Sequence, residues 1–111
     1  MTVRIASFVV GACLIAWVFG LSAAERPASK THTVTLDGMR FQPDDLTVAS
    51  GDTVVWVNMD LVAHTATSET GGFDSRIIRP EESWKVTFKK KGEFRYFCRL
   101  HPTMQAILRV K

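Results

Sequence analysis

From Lys30 onward the chain alternates between apolar and polar positions, and it does so in short runs. Lys30 to Leu36 (KTHTVTL) places Val34 and Leu36 on one face, the period of a half-buried strand. Asp37-Gly38 is a turn signal, Phe41 to Asp45 reads as irregular, and Leu46 to Val48 is a short strand before a turn at Ser50-Gly51-Asp52. Thr53 to Val57 (TVVWV) is β-branched and aromatic, the composition of a buried strand. His64 to Ser68 reads as a further strand and Glu69 to Gly72 as a loop. Ser83 to Phe88 aligns Trp84, Val86 and Phe88, and Lys91-Gly92 turns the chain. Glu93 to Cys98 aligns Phe94, Tyr96 and Cys98, and Ala106 to Val110 is a last strand. No helix-length apolar period, internal repeat or low-complexity tract interrupts this. Evenly spaced short strands predict an all-β sandwich or barrel.

The start of the chain follows another pattern. Arg4 precedes a nearly unbroken apolar run, Ile5 to Leu21, then small residues Ser22-Ala23-Ala24, then Glu25-Arg26-Pro27. A basic, an apolar and a small-residue region in that order make a secretory signal peptide, here residues 1–24. An uncleaved membrane anchor and a lipid-bearing Cys13 are the alternatives, ranked second and third. Cleavage after Ala24 leaves 87 of 111 residues, 25–111, as one domain, exported to the periplasm and not membrane-bound.

Composition narrows the function. The full chain carries a formal charge of +3, and loss of Arg4 reduces it to +2, too little to argue for nucleic acid. The charged fraction of 23% is that of an ordinary globule, and a nucleotide-fold enzyme of two domains does not fit in this length. Without Cys13, Cys98 has no disulfide partner; it is a free thiol, an intermolecular bridge or a metal ligand.

The third possibility gains weight from its neighbours. Cys98, His101 and Met104 are spaced three and three; Cys98 ends a strand, so a tight loop can wrap the next two around one point. Thiolate, imidazole and thioether are soft or borderline donors and suit neither calcium nor magnesium. His64, at another predicted strand end, offers a fourth. Two histidines and a cysteine in a plane with a weak axial methionine describe a blue-copper electron-transfer site. Taken singly each residue has a bland reading as core or surface, as do His32, read as a surface histidine, and Met39 and Met59. The shared spacing is what sets the four apart.

At this point the chain resembles the cupredoxins of the plastocyanin, amicyanin and pseudoazurin group, most of all the amicyanins in the short loop from Cys98 to Met104. The resemblance covers Gly51 to Asn58, Ala63-His64-Thr65, Gly72 to Ser75 and Gly92 to Met104. It implies a Greek-key β-sandwich holding one copper ion, Cu(I)/Cu(II), on His64, Cys98, His101 and Met104. It also implies a monomeric, non-enzymatic carrier of single electrons between transient protein partners such as a c-type cytochrome, a dehydrogenase or an oxidase. A copper carrier or storage protein with the same ligands is the alternative. Enzymatic relatives need further ligands or domains, and a two-copper centre needs a second cysteine. Many relatives have Asn after the first histidine, tying the ligand loops together; Thr65 stands there, which leaves the reduction potential open.

Four expectations concern the surroundings. Pro102 stiffens the ligand loop. Leu61, Val62, Pro102 and Thr103 form an apolar docking patch around His101, with Asp60 and Arg99 at its rim. Lys89-Lys90-Lys91 lies at a hairpin tip roughly 20 Å away, six residues at about 3.3 Å each. Phe97, of opposite parity to Cys98, is either an exposed aromatic flanking a second electron route or a residue buried under a neighbouring loop.

Overall fold

The computed structural model describes residues 28–111, together with residues 2, 11–13, 15, 16 and 20. The predicted signal peptide and its cleavage point fall largely outside the described residues. Eight strands are present and no helix among the described residues: β1 (Thr31–Asp37), β2 (Arg40–Gln42), β3 (Asp45–Val48), β4 (Thr53–Asn58), β5 (Thr67–Ser68), β6 (Ser83–Thr87), β7 (Gly92–Phe97) and β8 (Gln105–Val110). They form two four-stranded sheets, ordered β2-β1-β4-β6 and β3-β8-β7-β5. From β2 to β7 every connection crosses from one sheet to the other, which gives the expected all-β, Greek-key sandwich.

Alternation accounts for the core. In β4 the buried positions are Val54, Trp56 and Asn58, with half-buried residues between them, as suits a strand flanked by β1 and β6. Val34 and Leu36 of β1 face the same interior. Trp56 is its centre, with ring centroids 5.4 Å from both Phe73 and Trp84 and 5.7 Å from Tyr96, across the two sheets.

Two assignments change. The irregular stretch contains β2, which pairs with β1 across the two-residue turn Gly38-Met39, both at positive φ, 62° and 60°. Three residues with one apolar position, Phe41, carry too weak a pattern to show this. The strand expected over His64 to Ser68 shrinks to Thr67–Ser68, and His64 keeps a single bridge to Ile78. Side-chain hydrogen bonds, described below, replace the missing ladder.

Candidate metal centre

His64 reaches the site because Asn58 folds the chain beneath it. Asn58 is fully buried at the end of β4. Its amide nitrogen donates to Val62 O and Ile78 O, each at 2.9 Å, and its carbonyl oxygen accepts from Asp60 N at 2.9 Å. The six residues from Asn58 to Ala63 are thus wound into a compact loop. His64 is then pinned by its amide to Ile78 O at 3.1 Å and by Ile78 N to its own carbonyl at 2.8 Å.

Cys98 follows β7, where the alternation that buries Tyr96 also buries it. The chain then makes two successive tight turns. His101 N donates to Cys98 O at 3.3 Å, and Met104 N to His101 O at 2.9 Å. Cys98 N closes the loop onto Met104 O at 3.1 Å. Pro102 is the second residue of the second turn, where its fixed φ restricts the loop.

Three of the four expected donors converge. Cys98 Sγ lies 3.7 Å from His64 Nδ1 and 3.8 Å from His101 Nδ1, and all three donor atoms are within 4.8 Å of one another. A metal bound at about 2.3 Å to a thiolate and about 2.0 Å to an imidazole, at a trigonal angle, separates the two donors by about 3.7 Å. The spacing therefore fits one first-row metal ion between them. His64 and Cys98 are fully buried, Met104 is 3% exposed and His101 is half-buried. Met104 lies within the loop that carries the other two donors.

Hydrogen bonds fix the donors. Thr65 N donates to Cys98 Sγ at 3.3 Å. Thr65 Oγ1 accepts from Arg99 N at 2.9 Å and meets Thr67 Oγ1 at 3.0 Å, which in turn donates to Asp74 Oδ1 at 3.1 Å. The threonine therefore ties the two ligand loops together and extends the tie through Asp74 to the Arg99 side chain at 3.3 Å. The Arg76 amide, outweighing burial, together with Thr67 and Arg99, holds the Asp74 carboxyl below its ordinary range.

Asp60 is not a rim residue. Its Oδ2 lies 2.6 Å from His64 Nε2, and its two oxygens also accept from Gly38 N at 2.8 Å and Met39 N at 3.0 Å. Burial pushes its pKa up, but the Met39 amide, His64 and the Gly38 amide together hold it below the ordinary value. A carboxylate only accepts, so this contact calls for an N–H at His64 Nε2, and in the neutral imidazole that leaves the lone pair of Nδ1 on the side of Cys98. Both Asn58 and Asp60 escape a reading of the sequence. The signal was their place between β4 and His64, but a loop of polar residues looks solvated until the turn is closed.

The other surroundings divide. Leu61 is 96% exposed, and Val62, Leu100, Pro102 and Thr103 are also exposed on the loops that carry the donors. Met39 and Met59 lie at the surface, and Lys89 to Lys91 are exposed where β6 turns into β7. Phe97 is half-buried, between the two alternatives. His32 is not a surface histidine: it is half-buried, with Nε2 2.9 Å from Asp52 Oδ2.

The model of the cupredoxin-like domain family matches residues 11–110. The chain belongs to the cupredoxins. It is 28% identical over 90 residues to an amicyanin of Paracoccus versutus, covering 77% of this chain and 67% of that protein. A plastocyanin of Scenedesmus fuscus is 31% identical over 72 residues, 55% of this chain and 74% of the plastocyanin. Among solved structures, the Cu(I) form of a methionine-to-alanine variant of amicyanin superposes with a TM-score of 0.69 at 26% identity, over 76% of this chain and 85% of that one. A copper-containing nitrite reductase from Thermus scotoductus reaches 0.69 at 31% identity, but the match spans 78% of this chain and only 23% of the reductase.

Proposed function

We propose that the protein is an exported type 1 copper protein that carries single electrons between redox partners, and that His64, Cys98, His101 and Met104 are the residues that would hold the ion. The observation that carries this reading is the pair of distances from Cys98 Sγ to the two imidazole Nδ1 atoms, 3.7 Å and 3.8 Å, in a site with two fully buried donors. Two nitrogens and a thiolate in a plane, with a thioether in reserve, is the donor set of blue copper. Copper bound there supplies a one-electron Cu(I)/Cu(II) couple.

The chain's residues do the rest. The loop from Cys98 to Met104 and the Thr65 tie hold the donors in one arrangement, so little moves when an electron arrives or leaves. Burial of His64, Cys98 and Met104 excludes water. His101, the most exposed of the donors, gives the electron a way out, and the exposed Leu61, Val62 and Pro102 offer a weak contact for a partner such as a c-type cytochrome. The amicyanin and plastocyanin relatives support a carrier; the nitrite reductase match covers too little of that enzyme to support catalysis. The basic, apolar and small-residue leader supports export to the periplasm.

Film voltammetry on the copper-loaded protein tests this. A reversible one-electron wave that persists through repeated cycles is expected. Loss of the ion on cycling, or ready exchange with a chelator, would point instead to a copper carrier or store.

A further inference from the structure

Asp60 is a built feature of the site and not a chance neighbour. Its carboxylate accepts three hydrogen bonds, from Gly38 N, Met39 N and His64 Nε2, and Asn58 holds its own amide. Two of those bonds come from the β1–β2 turn, whose residues both sit at positive φ. The carboxylate is thus fixed on one side by backbone and on the other by the imidazole, with its side chain only 13% exposed. A histidine ligand whose far nitrogen meets a carboxylate is locked in one tautomer and made a more basic donor.

We propose that Asp60 is a positioning residue for the redox couple: it orients His64 with Nδ1 toward the metal and places a negative charge behind it, which holds the couple toward its oxidised form. This rests on the reading of the site as a copper centre. The oxidised ion carries one more positive charge than the reduced ion, so a nearby anion stabilises it more. The charge acts from a water-poor position, where screening is weak.

Copper-loaded wild type and Asp60→Asn separate the two roles, because asparagine can still accept from Nε2 through its one oxygen, giving up the bond from Gly38 N, but carries no charge. The expected result is a blue Asp60→Asn protein whose preference for Cu(I) over Cu(II) rises about tenfold, which for one electron is about 59 mV upward in potential. An unchanged or lower potential overturns the proposal. The tautomer is read independently from imidazole 15N shifts of the metal-free wild-type protein in mildly alkaline solution. A proton on Nε2 of His64 is expected, and a proton on Nδ1 overturns the proposal even if Asp60→Asn does not fold. If wild type takes up copper without a blue band, the copper reading fails, while the tautomer measurement still decides what Asp60 does.

Discussion

Thr65 shows how much one hydroxyl can hold. It is 2% exposed, its amide meets the Cys98 sulfur, and its oxygen accepts from the Arg99 amide at 2.9 Å. Replacing it with valine keeps the shape and leaves the Arg99 N–H without that partner. Thr65→Val should therefore lower unfolding stability by about 1 kcal/mol in denaturant melts, the cost of a lost hydrogen bond. It should also shift the visible spectrum of the copper form, because the loop carrying Cys98 loses its strap. His64, Cys98 and His101, which the structure brings together, were legible in the sequence, the last two because the three-residue spacing of the Cys98–Met104 loop is itself a chemical signal. Asn58, Asp60 and the ring from Thr65 to Asp74 were not, because each acts by bonding to backbone or to a side chain distant in sequence. Polar residues between strands give no sign of which amides they will meet.

At the scale of elements, strands with clean alternation were readable within a residue or two, as β4, β6, β7 and β8 show. β2 and β5 were not, because strands of three and two residues are set by their partners and not by their own pattern. The start of β1 is tied to β4 by Asp52, which accepts from Lys30 N at 2.9 Å, Ala49 N at 3.0 Å and His32. The Lys30 amide, His32 and the Ala49 amide lower its carboxyl from 3.8 to about 2. A carboxyl lowered by folding adds stability above its unfolded pKa and loses it as pH falls through the folded one. Asp52→Asn should therefore melt at a lower temperature than wild type at neutral pH. The gap should narrow between about pH 4 and about pH 2 in scans by circular dichroism. A gap that stays constant across that window would contradict the role given to Asp52.

For the whole molecule, the sandwich separates two ends. Ligand loops leave β4 in one sheet and β7 in the other, so the metal centre lies where the sheets meet at one end. Lys89 to Lys91 lie at the opposite end of β7, well beyond a Debye length of about 8 Å. Changing all three lysines to glutamine should leave the rate of electron exchange with a c-type cytochrome nearly unchanged at physiological salt. Leu61→Lys, a charge placed on the exposed ligand loop, should slow it about tenfold in stopped-flow mixing. The opposite order would move the docking face to the lysine end. The most direct test of the copper centre is to add Cu(II) to the metal-free protein and record its visible spectrum, with Cys98→Ser alongside. An intense blue band in the wild type that is absent from Cys98→Ser is expected. Copper uptake without that band, or a band that survives the substitution, would contradict a thiolate-bound copper at this site.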